Sequence, residues 1–418
     1  MTADEALARA VREEWGRLLA LLLAQFRRLD LVEDALAEAV EAAARHWAPE
    51  GVPANPSAWL LTAARRRVLD RLRAEAMAAR RRPLLVVEAH GRAGSTGRRA
   101  DTGDLVDDDL LRLVLMCAHP ALSPESASAL SLRLVLGVST GDIARLFLVS
   151  EPTMAARITR AKRKIVAAGI PFGIPGAAEL PQRLTTVAQT AYLAFTAGYA
   201  AASGPDLLRV ELAGEAIRLV RVTLALRDEP VLRALLALML LQHSRRDART
   251  DAGGLVLLPD QDRSRWRRDE IEEARRVLAT VPEATDAVTE SFRLQGLIAA
   301  EHAGAADPSV TRWGRIAGLY ATLESVAPGP VVRMARAVAV AEAEGPRAGL
   351  ALLEGLERLV PENHRLPAVR AELLVRAGEP EAAGAAYDEA ILLCRNEVEL
   401  AHLRERRSRL GPGPTRPA

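Results

Sequence analysis

At 418 residues the chain exceeds one ordinary core and predicts two or three compact units. Aromatics make up only 3% while Ala, Leu, Arg and Glu dominate, which argues against sheet architectures and for a nearly all-α fold. A formal net charge of +2 excludes a global nucleic-acid-binding field, and two distant cysteines, Cys117 and Cys394, support neither a disulfide framework nor a zinc finger.

The first segment, Ala6 to about Arg82, is helical in pattern and begins as an amphipathic helix with no cleavable apolar leader. The longest apolar runs, Leu18–Ala24 and Leu235–Leu241, are too short to span a bilayer, so a cytoplasmic protein with no membrane partner is expected. Within Asp30–Trp47 (DLVEDALAEAVEAAARHW), helical spacing turns Val32, Leu36, Val40, Ala43 and Trp47 inward. Asp34, Glu38 and Glu41 then form an exposed acidic stripe. After a Pro-rich loop, Asn55 caps and Pro56 opens a further helix, NPSAWLLTAARRRVLDRLR. Leu60, Ala64, Val68 and Leu72 face inward there, leaving Arg65, Arg66, Arg67, Arg71 and Arg73 outside. Asp70 stands within a turn of Arg66 and Arg73, a spacing that suits holding surface arginines better than catalysis. Trp59 reads as a core residue at the helix start more readily than as a stacking platform.

Gly91–Gly103 (GRAGSTGRRADTG) has no apolar period and reads as a flexible linker. Helical signal resumes at Leu105 and runs to Ala168. Inside it, STGDIARLFLVSEPTMAARITRAKRK (Ser139–Lys164) predicts two short helices. Ser139 and Asp142 have capping-box spacing, and Ile143, Ala144, Leu146 and Phe147 supply an apolar face. Leu148–Ser150 forms a turn with Val149 inward, and Ser150 caps the second helix. In that helix Met154, Ile158, Ala161 and Ile165 recur at four, three and four, which sets the core face. Thr153, Arg157, Arg160 and Lys164, joined by Lys162 and Arg163, occupy the neighbouring stripe. Such a helix suits the DNA major groove, with Arg157 and Arg160 reaching base edges and the later cations holding phosphates. A charge run alone would read as a solvated face; cap, turn and stripe together favour a helix-turn-helix.

Gly169–Pro181 (GIPFGIPGAAELP) breaks the pattern, and helices then follow to Leu410, interrupted at Ser203–Pro205, Asp251–Pro259, Asp307–Ser309, Ala327–Pro330 and Pro361–Asn363. The tail GPGPTRPA is expected to be disordered. Ala194–Gly204 (AFTAGYAAASG) has small residues and Tyr199 for close helix packing. Leu257–Trp266 (LLPDQDRSRW) gathers Asp260, Asp262, Arg263, Arg265 and Trp266, either as an N-cap with Trp266 docking the loop or as a ligand or partner site. Leu374, Gly378, Gly384, Tyr387 and Ala390 fall at tetratricopeptide spacing, although Glu381 and Cys394 replace its aromatics; degenerate repeats and a generic helical bundle both remain open. No phosphate loop, dinucleotide fingerprint, nucleophile elbow or zinc-protease helix occurs, and the seven histidines lack ligand spacing. No catalytic residue, cofactor or metal is expected.

An acidic EDALxEA helix, a loop, a WLLTxARxRxxDRLR helix, a linker and a basic helix-turn-helix together resemble the layout of extracytoplasmic-function sigma factors of RNA polymerase. From HPALSPE at His119 to GIPF at Gly169, the chain is similar to the subgroup with a long tetratricopeptide-like C-terminal extension. This resemblance implies sigma region two over 1–82, a linker over 83–107 and region four over 108–170. A helical extension over 171–306, degenerate repeats over 307–410 and the tail 411–418 follow. It also implies partners: the clamp and flap regions of core polymerase, duplex promoter DNA and the melted non-template strand. Asp34, Glu38 and Glu41 would meet a basic coiled coil of the polymerase, the Arg-rich helix would hold separating strands, and loop Ala48–Ser57 would capture an extruded base. Ala37 and Arg66 stand where the family often has Gln and Asn, a departure that bears on base capture. The extension is expected to regulate, through intramolecular or protein contacts. The competing reading is a helix-turn-helix regulator that senses a ligand or protein through helical repeats.

Overall fold

A computed structural model describes residues 2–81, 102–147, 149–199, 210–251, 254–283 and 286–410. Most of the expected linker Gly91–Gly103, the break at Ser203–Pro205, Leu148 and the C-terminal tail lie outside these residues, as does the side chain of Tyr199. The chain is all-α: eighteen α-helices among the described residues, with short 3-10 turns and one π-helical stretch. Its strands are two residues each, Thr250–Asp251 paired antiparallel with Gly254–Leu255. Contacts divide the chain after Thr190 into two compact units.

The first unit holds α1 (Ala3–Phe26), α2 (Leu29–Glu50), α3 (Pro56–Arg81), α4 (Thr102–Cys117), α5 (Pro124–Leu130), α6 (Thr140–Leu146) and α7 (Glu151–Ala167), with the first part of α8 (Leu180–Tyr199). Thr2 and Glu5 close a reciprocal capping box on α1. α1 packs against α2 and α3 and also against α4 and the π-helical stretch Ser131–Val135. Two glycines make that approach possible. A Cβ on Gly16 would lie 2.2 Å from the Val135 carbonyl oxygen, and Gly137, at φ +72°, leaves room for the buried Trp15 ring. Arg27 donates to the Phe172 carbonyl at 3.4 Å and lies over its ring, which ties the segment after α7 to the α1–α2 corner.

α2 runs on through Pro49 to Glu50 and stops at Gly51, φ +91°, whose N–H donates to the Trp47 carbonyl. The connection to α3 is therefore residues 51–55, shorter than the expected Ala48–Ser57, because α2 continues through Pro49 to Glu50 and α3 already begins at Pro56. Asn55 caps α3 by accepting from the Ala58 N–H at 3.0 Å.

The second unit contains the rest of α8 and α9 (Val210–Leu226), α10 (Pro230–His243), α11 (Arg268–Leu278), α12 (Ala287–Gly304), α13 (Trp313–Val326), α14 (Pro330–Glu344), α15 (Pro346–Leu353), α16 (Arg365–Ala377), α17 (Pro380–Leu393) and α18 (Glu397–Ser408). α10 is apolar nearly all round and lies buried among α9, α11 and α12, as such a helix must. From α13 onward each helix packs chiefly on its neighbours in sequence. Leu374 is partly buried against Tyr387 and Ala390, Gly384 is buried, and Gly378 ends α16 at φ +81°.

Candidate nucleic-acid interface

The helix-turn-helix forms from the residues that patterning singled out. Ser139 accepts from the Asp142 N–H at 3.0 Å and starts α6, whose Ile143 and Ala144 are buried. The Asp142 carboxylate accepts from the Ser139 hydroxyl at 2.5 Å, so the cap closes side chain to side chain. That bond and Arg145 hold its pKa below the usual carboxylate range. The Val149 N–H donates to the Ala144 carbonyl across the turn, and Ser150 accepts from the Thr153 N–H at 3.3 Å to begin α7. Met154, Ile158, Ala161 and Ile165 are all buried, as the four-three-four spacing requires. Thr153, Arg160, Arg163 and Lys164 are exposed on α7, and Arg157 is half-buried beside them.

Lys162 differs from the rest of the cationic stripe. Its ammonium group meets the Glu33 carboxylate of α2, which also accepts from Arg133 Nε at 2.9 Å. Glu33 is almost fully buried, its side chain only 5% exposed. Arg133 also donates to the Val138 carbonyl at 3.3 Å and lies over the Trp15 ring. Beside this cluster, burial pushes the Cys117 thiol well above its ordinary pKa, and the Glu33 carboxylate pushes the same way. Sequence patterning overlooked both Glu33 and Arg133. One signal was available: Glu33 lies four residues after Leu29 and three before Leu36, on the inward register of α2.

The second basic helix, α3, buries Leu60, Ala64 and Val68 and half-buries Leu72. Arg65, Arg66 and Arg73 are exposed, with Arg73 paired to Asp70 at 3.0 Å. Arg67 and Arg71 turn toward the acidic stripe instead. Arg71 reaches Asp34 at 3.4 Å and also Glu38, while Arg67 Nε lies 3.4 Å from Glu38. Glu41 remains exposed. The acidic and basic stripes thus partly neutralise each other along the α2–α3 contact. Trp59 is half-buried, edge-on to Trp47 with ring centroids 5.7 Å apart.

In the second unit the Leu257–Trp266 loop folds on itself. Asp262 accepts from the Ser264 N–H at 2.9 Å, and Trp266 is buried. Arg263, buried over the Trp266 ring, donates to the carbonyls of His302 and Ala305, both at 2.6 Å, and so caps the end of α12. This is the docked-loop arrangement. The fold also assembles His364, Cys394 and Glu399, whose possible metal-ligating atoms lie within 4.8 Å of one another. Each already has a partner. Glu399 accepts from His364 Nε2 at 2.5 Å and from Arg365 at 2.9 Å, and the Cys394 thiol donates to the Asn396 carbonyl. Among the described residues no helix is long and apolar enough to cross a membrane.

Two family descriptions match segments of the chain. Residues 112–165, which include the whole helix-turn-helix, match sigma-70 region 4. Residues 183–281 match a family of unknown function, DUF6596. An uncharacterized protein of Rhizobium meliloti (strain 1021) is 42% identical over 415 residues, covering 98% of this chain and 96% of its own length.

Proposed function

The chain belongs to the family of that Rhizobium meliloti protein, with sigma-70 region 4 as its helix-turn-helix segment, and we propose that it is a sigma factor of the extracytoplasmic-function type. It binds core RNA polymerase in the cytoplasm and directs it to particular promoters. The observation that carries this reading is the exposed cationic face of α7 on a capped helix-turn-helix inside the sigma-70 match. In this role α7 enters the major groove upstream, Arg157 and Arg160 read base edges, and Arg163 and Lys164 hold phosphates. The exposed Arg65, Arg66 and Arg73 on α3 follow the strands as they separate, Arg73 from beside its partner Asp70, and residues 51–55 border the opened segment. Asp34, Glu38 and Glu41 form the face offered to the polymerase clamp. The later helices, read as a degenerate tetratricopeptide-like extension, regulate these steps through protein contacts. No catalytic step, cofactor or metal enters this reading.

One observation favours a second reading. Asp34 and Glu38 are engaged by Arg67 and Arg71, an acidic stripe serving within its own helical hairpin, as suits a helix-turn-helix regulator that never enters the polymerase. Incubating the purified full chain with core polymerase separates the two. The sigma reading expects co-purification and transcripts that begin at a defined set of sites. Binding to DNA without any association with core polymerase would reject it in favour of the regulator.

A further inference from the structure

We propose that His364, Cys394 and Glu399 form a binding site for a thiophilic divalent cation, Zn²⁺ by its ligand chemistry, where α16, α17 and α18 meet. The site lies in the later helices and stands apart from the DNA and polymerase reading. Linear spacing conceals it, since His364 and Glu399 are 35 residues apart. The fold brings them together. His364 precedes α16, Cys394 follows the last turn of α17 and Glu399 sits in the first turn of α18. One imidazole nitrogen, one sulfur and one carboxylate oxygen, each from a different element, thus lie within 4.8 Å of one another. Cys394 is buried, and the side chains of His364 and Glu399 are only 17% and 15% exposed.

Imidazole, thiolate and carboxylate are the donors that Zn²⁺ takes, whereas Mg²⁺ and Ca²⁺ take oxygen. Around a tetrahedral Zn²⁺, with bonds of about 2.0–2.3 Å, donor atoms stand about 3.3–3.6 Å apart. The widest pair here closes by no more than about 1.5 Å to reach that spacing, and the His364–Glu399 pair, at 2.5 Å, opens by about 1 Å. The partners these groups already have suit the site. Glu399 and His364 hold each other, so the cation takes the place of the proton between them. The imidazole keeps its proton on Nδ1, and the thiol proton leaves to solvent. Burial opposes ionisation of Glu399, but the bonds from His364 and Arg365 outweigh it and hold its carboxyl below the usual range. Burial pushes the Cys394 thiol up, so it stays protonated until a cation supplies the compensating charge. Thiolate and carboxylate together then neutralise a divalent ion. Outer support is in place as well. Asn396, fully buried, accepts from the Val398 and Glu399 N–H groups at 3.1 and 3.0 Å, and its carbonyl accepts from the thiol. His364 also lines an open cavity of about 820 Å³ with Val360, Pro361, Leu392 and Arg395, which gives the ion a route from solvent and leaves a fourth position to water.

The test uses the untagged full chain, stripped with a chelator and kept reduced with a phosphine. Co²⁺ is added as the spectroscopic probe, and Zn²⁺ is titrated against a chromogenic chelator. One equivalent of Co²⁺ is expected to give visible bands of tetrahedral cobalt and a near-ultraviolet thiolate charge-transfer band, and Zn²⁺ is expected to abolish both. Cys394→Ser and His364→Gln, close in shape to the residues they replace, are expected to weaken Zn²⁺ by more than the roughly 10- to 100-fold that losing an outer partner costs. Cys394→Ser also loses the charge-transfer band. Cys117→Ala, in the other compact unit, is expected to keep both bands. Zn²⁺ is expected to raise the thermal midpoint of wild type and not of Cys394→Ser, which circular dichroism first shows to be helical. Absence of a thiolate band in wild type overturns the site, as does Zn²⁺ affinity unchanged in the helical Cys394→Ser and His364→Gln variants.

Discussion

Arg157 and Arg160 are placed to be tested separately from folding. They stand beside the buried stripe Met154, Ile158, Ala161 and Ile165 and contribute nothing to it, so replacing them leaves the core of α7 intact. Arg160→Ala is expected to weaken duplex binding about tenfold and to lower the salt slope by roughly one, as loss of a cationic contact to DNA does. Arg157→Ala, at a base-reading position, is expected to cost about 1–3 kcal/mol on a preferred site and less on random sequence. Fluorescence anisotropy at several salt concentrations measures both, and the urea midpoint should hardly move in either variant. Met154→Ala has the opposite signature, destabilising the fold by about 2–5 kcal/mol because it empties a fully buried position. If the two arginine variants bind as the wild type does, α7 is not the reading helix. The surface pairs follow a different rule. Arg73–Asp70 is exposed on both sides, and such a pair contributes at most about 1 kcal/mol, so its role is to position charge. Glu33 belongs to the other class, in which removing one partner leaves buried charge uncompensated.

Among the helices, the end of α12 joins packing to pH. His302 lies in its last turn with its ring edge-on to Trp313, 5.2 Å between centroids, and its carbonyl accepts from Arg263. Burial, reinforced by the charges of Arg245 and Arg263, lowers its pKa from 6.5 to about 4. In the unfolded chain the imidazole takes up its proton near the ordinary value, whereas the folded form resists until the lower one. Between the two the unfolded state holds more protons, so stability falls as pH drops from about 6.5 toward 4 and levels off below, by no more than about 1.4 kcal/mol per pH unit. His302→Gln is expected to flatten that slope relative to wild type in urea titrations across the window. An identical slope would show that folding does not lower the pKa of the His302 imidazole. Helix by helix, the apolar periods of α2, α3 and α7 and the caps at Asn55, Ser139 and Ser150 were legible because each depends on neighbours within a turn. Pro49 read as loop because a ring without an N–H ordinarily ends a helix, whereas α2 runs on to Glu50 and the Gly51 N–H donates to the Trp47 carbonyl. The π-helical stretch was not legible either, since Ser131–Val135 carries no local mark distinguishing it from an ordinary turn of helix.

Over the whole chain, what sequence patterning could not see was pairing at a distance. From helical period it set Lys162 beside the cationic stripe and Asp34 and Glu38 on the acidic one, and Lys162 and Glu38 lie half-buried in the fold. It could not say that Lys162 meets Glu33 or that Arg71 meets Asp34 and Glu38 of the acidic stripe, since those contacts depend on how whole helices dock. The same holds for where one compact unit ends. The Gly- and Pro-rich stretch Gly169–Pro181 looks like a boundary, yet contacts continue to Thr190. Arg183 donates to the Leu115 carbonyl near the end of α4 at 2.8 Å, and Ser128 donates to the Thr190 carbonyl at 3.0 Å. Leu184, Val187 and Ala188 are buried. A chain cut at Pro175 therefore loses these anchors along with everything after them, and any change in transcription would mix loss of regulation with loss of stability. Residues 1–190 are expected to unfold in urea as one cooperative body, more stable than residues 1–175 by about 3 kcal/mol or more, since two large apolar side chains return to the core. Equal midpoints would mean that the early turns of α8 add nothing to the first unit. With the expected difference, 1–190 becomes the reference for the extension: higher promoter-specific transcription than the full chain marks the later helices as inhibitory, and lower transcription marks them as assisting.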